Sequence, residues 1–195
     1  MDEVKAQVVL FDGFDPLDAI GPYEALTAGG VQVELASAEG AREVPAGLGL
    51  LALRATARLD PGLDLVVVPG AAARNEDEIF GLLSAAAGTI GPALEERTAI
   101  LATVCGGSLV LAMAGLIGGR NATTNHLGLD ALGSMGVNAH RVRIVDDGDL
   151  VTAAGVSSGV DLGLYLLERE VGARKALEVE ELFAHERRGT VWSAA

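Results

Sequence analysis

Short apolar runs alternate along this chain with longer stretches whose apolar residues recur at helical spacing. Residues 4–11 (VKAQVVLF) read as a first strand, ended by Asp12-Gly13. A helix follows from Pro16, with Asp15 placed to cap it and proline at its first position. Residues 31–37 alternate as a second strand, and residues 48–54 with their surroundings read as a small hairpin or edge strand. A wholly apolar strand at 63–68 stops at Pro69-Gly70. Residues 75–87 predict a helix and 91–97 a second, short one. The strand 99–104 leads into a helix at 107–116. Residues 122–125 form a short strand or turn before a helix from about Leu127. Segments 140–145 and 150–153 flank Asp147-Gly148, a hairpin turn. Residues 157–170 and 174–187 read as two closing helices.

Strands alternating with helices imply an α/β fold, a mostly parallel sheet with helices on both faces. In such folds ligands bind beyond the carboxyl ends of the strands. Four polar or glycine-rich strand ends should therefore meet in one crevice: 12–18, 69–72, 105–108 and 155–158. Composition agrees with close helix-on-sheet packing. Half the residues are hydrophobic but only 4% are aromatic, so Ala, Val, Leu and Gly must fill the core. A length of 195 residues suits one domain. The net charge of -13 comes with no stripe of Lys or Arg, which argues against nucleic acid or an anionic membrane as partner.

Residues 98–119 carry no charge and have the length of a membrane span. The Gly106-Gly107 pair near the middle, with β-branched residues before it and helix formers after it, instead predicts a buried strand, a turn and a buried helix. The N-terminal MDEVKAQVVLF has no basic region, and its apolar run is too short for a signal peptide. One cysteine cannot form an internal disulfide. Both features lead to the expectation of a cytoplasmic, reducing location. Three histidines and one cysteine, widely scattered, offer no metal-ligand spacing.

That one cysteine, Cys105, sits between the strand and the helix. As a residue type it is at home in a core. At this place, however, free N–H groups of a helix start point toward it and favour a thiolate. Gly106 and Gly107 permit the sharp backbone of a nucleophile elbow. Asp18, early in the first helix, lies on the same rim and could move a proton. Asp12, Asp15 and Asp18 also read as carboxylates at a helix start.

The segments VCGGSLVLAMAGLIGGRNATTNH, LDAIGPYEAL, VVVPG and AAGVSSGVDLGLYLLE together resemble the ThiJ/PfpI superfamily. The match is closest to its isocyanide hydratase branch and to the amidotransferase-like domain of some AraC-type regulators. The resemblance runs over roughly 4–170. It implies a flavodoxin-like three-layer sandwich, a homodimer, a small-molecule substrate and no cofactor. It makes Cys105 the nucleophile and Asp18, in the LDxxGP segment, its acidic partner. An aspartate here argues against the glyoxalase or deglycase branch, which uses a glutamate. Gly106 argues against the protease branch, which has a histidine after its cysteine.

Two departures stand out. Gly106 replaces the threonine that usually follows the cysteine, and ATTNH replaces ATTHW, so that Asn125 and His126 stand for histidine and tryptophan. The implied reaction is hydration of an isocyanide to a formamide, a lyase activity. Backbone N–H groups of Gly106 and Ala71, after Pro69-Gly70, would steady negative charge. Thr123, Asn125, His126, Val156 and Ser157 are pocket candidates. Ser157, Ser158 and Asp161 read first as helix-capping residues, Thr123 and Thr124 as loop hydrogen bonders, and His140 and His185 have no supporting context. A ligand or redox sensor, or a hydrolase or lyase acting on another small electrophile such as an aldehyde, is the competing expectation. From these 195 residues the helix-turn-helix module of the regulators is not expected.

Overall fold

A computed structural model describes residues 4–193. Among them, eight strands form one sheet in the order β12-β10-β11-β7-β6-β1-β2-β5. In chain order these are β1 (Lys5–Val9), β2 (Gln32–Ser37), β5 (Ala57–Arg58), β6 (Leu65–Val68), β7 (Ile100–Val104), β10 (Ile144–Asp146), β11 (Leu150–Ala153) and β12 (Val191–Ser193). All neighbours pair in parallel except β10 with β11, which are joined by the Asp147-Gly148 turn. The central strands explain why the sequence reads as unbroken apolar runs there. Every residue of β6 and β11 is buried, as parallel strands covered on both faces must be. Two short pairs stand apart, β3 (Arg42–Pro45) with β4 (Ala52–Ala55) and β8 (Asn121–Ala122) with β9 (Asn138–Ala139).

The helices α1 (Pro16–Ala28), α5 (Ser158–Glu170) and α6 (Ala173–Phe183) pack together, and α2 (Glu76–Leu94), α3 (Gly107–Met113) and α4 (Leu129–Ser134) form a second group. This is the flavodoxin-like sandwich expected. α1 begins as its residues dictate: Asp15 accepts a hydrogen bond from the Leu17 N–H at 3.0 Å and Pro16 opens the helix. α5 approaches α1 so closely that a Cβ on Gly163 would lie 2.7 Å from the Ala25 Cβ.

Four expectations change. The two helices predicted at 75–87 and 91–97 are one, because Leu83, Ala86, Ala87, Ile90, Gly91 and Leu94 form a continuous buried stripe. Pro92 is tolerated within it because the carbonyl it leaves without a partner belongs to the exposed Gly88. The helix after Cys105 ends at Met113 rather than Leu116, where Gly115 turns left-handed (φ 75°). The hairpin expected around 48–54 pairs β3 with β4, so its first strand lies earlier, at Arg42–Pro45, and 48–51 form the connection. The last helix stops at Phe183, capped by Ala184 at φ 49°, and the chain returns as edge strand β12 beside β10. The charge-free stretch 98–119 is β7, a turn and α3, and no described helix is long and apolar enough to cross a membrane.

Candidate active site at the end of strand β7

The carboxyl ends of β1, β6, β7 and β11 converge as the fold requires. Cys105 stands at the tip of the turn between β7 and α3 with φ 55°, a left-handed conformation that costs a non-glycine residue about 1–2 kcal/mol. Three hydrogen bonds hold it there. Its N–H donates to the carbonyls of Ala153 (3.1 Å) and Ala154 (2.8 Å) at the end of β11. Its own carbonyl accepts from the Thr124 hydroxyl at 2.7 Å. Beneath it runs a buried chain of hydroxyls. Thr103 Oγ1 donates to Ser108 Oγ (2.6 Å), Ser108 to the Thr123 carbonyl (2.6 Å), and the Thr123 N–H to Thr152 Oγ1 (2.8 Å). Threonines in central strands are thereby satisfied, and the elbow is tied to the loop at 122–125.

Two glycines let the backbones meet. A Cβ on Gly107 would lie 2.1 Å from the Val68 carbonyl oxygen. One on Gly70 would lie 2.6 Å from the Gly106 nitrogen and 2.9 Å from Asp18 Oδ2. α1 delivers Asp18 to the same point, wholly buried. Its Oδ2 accepts the Gly70 N–H at 2.9 Å, while Oδ1 is buried with no hydrogen-bond partner among the described residues.

Burial, and secondarily the Asp15 carboxylate, push the Asp18 carboxyl up from 3.8 to about 8, against the pull of the Gly70 N–H and Cys105. The Cys105 thiol, 8% exposed, is pushed up to about 12, first by burial and then by the Asp18 charge. The helix start therefore does not set the thiol's acidity: α3 is short, and desolvation outweighs the Gly106 N–H. The two acids cannot both ionise at neutral pH. When Asp18 holds its proton its repulsion disappears, and desolvation remains as the main force against a thiolate, opposed by the Gly106 N–H and the Asn125 amide. Asn125 Nδ2 lies 3.6 Å from the Cys105 sulfur, and its orientation is set because Oδ1 accepts the Leu127 N–H at 3.1 Å.

Above the thiol opens a cavity of about 410 Å³. Ala71, Gly106, Asn125, Thr124 and Val156 contribute to its wall, with Ile79, Phe80 and Leu83 from α2 and Leu109 from α3. The α2 residues were not foreseen as site residues. The signal for them was an exposed phenylalanine beside an otherwise regular buried stripe. The Ala71 N–H makes no hydrogen bond among the described residues and so is free for a developing anion, whereas that of Gly70 is spent on Asp18.

Thr123, His126 and Ser157 lie off this wall. Thr123 is buried and donates to the Val142 carbonyl at 3.1 Å. His126 is exposed and opens a 3-10 turn, His126–Gly128, beside a separate depression with Arg141. Ser157 is exposed, makes no capping bond, and borders another depression with Arg143 and His185. Asp161, expected to cap, is buried between Arg143 and His185, whose Nε2 lies 2.6 Å from Oδ1. His140 bonds Asn121 at 2.9 Å and stacks on Trp192.

The chain is 32% identical to an isonitrile hydratase of Pseudomonas putida over 88% of its own length and 74% of that protein's. It is 25% identical to a Parkinson disease protein 7 homologue of Danio rerio, covering 90% of this chain and 94% of the other. A crystal structure of a ThiJ/PfpI family protein from Pseudomonas syringae superposes with a TM-score of 0.82 at 24% identity, over 96% of this chain and 77% of that one. Drosophila melanogaster DJ-1beta does so at 0.80 and 20% identity, over 95% and 100%. The model of the DJ-1/PfpI family matches residues 4–169. With its fold, its strained cysteine elbow and this match in agreement, the chain belongs to the DJ-1/PfpI family.

Proposed function

We propose that the chain is a cysteine-dependent hydratase that converts an isocyanide to an N-substituted formamide. The observation that carries this reading is the buried Asp18–Cys105 pair beneath a largely apolar cavity, with a carboxyl pushed up to about 8 that keeps its proton at neutral pH beside the thiol. The 32% identity to the Pseudomonas putida isonitrile hydratase supports the choice of substrate class.

In this mechanism the thiolate of Cys105 attacks the terminal carbon of R–N≡C while protonated Asp18 gives that carbon its proton, leaving a thioimidate and a carboxylate. A carboxyl next to the sulfur is also next to the carbon bonded to that sulfur. Asp18 then takes a proton from water as it attacks the same carbon and passes it to nitrogen. In the last step the O–H proton returns to Asp18, the C–S bond breaks, and the formamide leaves with thiolate and acid restored. The Ala71 N–H and the Asn125 amide are the donors for charge that develops on the way. The same reading includes a cytoplasmic homodimer, supported by the family resemblance and by a chain with a single thiol.

Formamide production from cyclohexyl and aryl isocyanides tests it, with wild type, Cys105→Ala and Asp18→Ala compared and each fold checked by circular dichroism. Turnover lost in both variants is expected. Absence of formamide from a wild type whose thiol still reacts with iodoacetamide would overturn hydration in favour of a sensor or an enzyme for another electrophile.

A further inference from the structure

The cavity over Cys105 is uneven in charge. Apart from the thiol, its ionisable wall residues are Asp15 and Glu76, and among the described residues no Lys, Arg or His lines it. Neither carboxylate is neutralised. Asp15 accepts only the Leu17 N–H, and Glu76, the exposed first residue of α2, has no hydrogen bond or ion pair among the described residues. Arg74, the cation nearest in sequence to Glu76, is exposed and off the wall. Four residues after Glu76, on the same helix face, the Phe80 ring is 52% exposed at the mouth. Leu48 and Leu127, both on the wall, are 49% and 73% exposed. An apolar lip thus carries two free carboxylates and an open aromatic face, a combination that attracts cations and repels anions.

We propose that this cavity selects its electrophile by charge, taking an apolar body with a cationic end in preference to a neutral one and excluding anionic ones, with Glu76 and Asp15 as the specificity-determining residues. The inference rests on Cys105 as the reacting group and is independent of whether the reaction is hydration. Because Cys105 is the chain's one cysteine, its modification rate reports the cavity alone.

Three methanethiosulfonates of similar size serve as probes, carrying an ethyltrimethylammonium, a hydroxyethyl or an ethylsulfonate group. Each forms a mixed disulfide with Cys105 and releases methanesulfinate. Rates are divided by those of 2-mercaptoethanol. The expected order is cation, neutral, anion, with a cation-to-anion ratio of at least about tenfold at low salt that shrinks as salt screens the mouth. Glu76→Gln should reduce the ratio, and Glu76→Gln with Asp15→Asn, which keeps a capping side chain, should bring it near that of the free thiol. Phe80→Ala should slow the cationic probe alone.

A wild-type ratio equal to that of 2-mercaptoethanol overturns the proposal. A ratio that survives both substitutions overturns the assignment, since it then stems from the overall charge of -13. Failure of all three probes removes Cys105 as an accessible nucleophile and takes both this inference and the hydratase reading with it. Charge order without formamide production sinks hydration alone, and formamide production without charge order sinks only the selectivity.

Discussion

Asp18 is the residue whose chemistry and stability should pull in opposite directions, and Asp18→Asn exposes the conflict. In the folded chain the carboxyl ionises at about 8 instead of 3.8. Below 3.8 folded and unfolded chains both hold the proton, and the contribution of Asp18 to stability is fully present. Between 3.8 and about 8 only the unfolded chain releases it, so stability falls as pH rises; above about 8 the loss is complete. At 1.36 kcal/mol per pH unit, the loss is about 4 kcal/mol at pH 7 and on the order of 6 kcal/mol above pH 8. Asparagine keeps an acceptor for the Gly70 N–H and puts an amide where the partnerless Oδ1 lies. It should remove the decline, so that the variant becomes the more stable protein at neutral pH by up to that amount while losing turnover. It should also let the thiol ionise at lower pH, because the second cause of its raised value is gone. Urea unfolding of both proteins across about pH 4 to 8, with thiolate absorbance followed in parallel, measures both effects. A stability difference that does not change with pH, or an asparagine variant less stable than wild type at pH 8, would refute the account of a carboxyl held neutral by burial.

Gly70→Ala places a methyl 2.6 Å from the Gly106 nitrogen and 2.9 Å from Asp18 Oδ2, and the displaced pair should lose about 100-fold in turnover, read as kcat with unfolding midpoint as control. Asn125→Ala removes the donor to sulfur and should slow iodoacetamide alkylation at neutral pH by roughly tenfold; an unchanged rate would mean the 3.6 Å contact does not hold the thiolate. Asp161→Asn strips Arg143 and His185 of their buried carboxylate. It should cost about 3 kcal/mol, at the low end for such a pair because Arg143 keeps 25% of its side chain exposed, and a shift in urea midpoint measures it.

The elements legible in the sequence are those whose signal is local. Pro16 after Asp15, the apolar run into Pro69-Gly70 and the Asp147-Gly148 turn each act on their own backbone, and the structure uses each as read. The glycine pair after Cys105 is used differently, since the left-handed residue is Cys105 itself and Gly107 serves the close approach to Val68. Local readings also failed where packing overrode them. Pro92 divides a helix on paper, yet a continuous buried stripe carries α2 through it. Asp161 sits where a capping residue belongs, yet Arg143 and His185, 18 and 24 residues away, draw it into the interior.

The sequence by itself determined the alternation of strands and helices, the elbow at Cys105 and the placing of Asp18 near the start of the first helix, because periodicity and turn chemistry depend on near neighbours. Only the tertiary structure decided what those two residues are like. The Gly70 N–H that holds Asp18 comes from 52 residues away, and the amide beside the thiol from 20. A helix start next to a cysteine predicts an acidic thiol, but desolvation is set by everything packed around it, and here it outweighs the helix. The same holds for the cavity: its free carboxylates and apolar lip come from segments that share no pattern in the chain and meet only when the sheet brings their ends together.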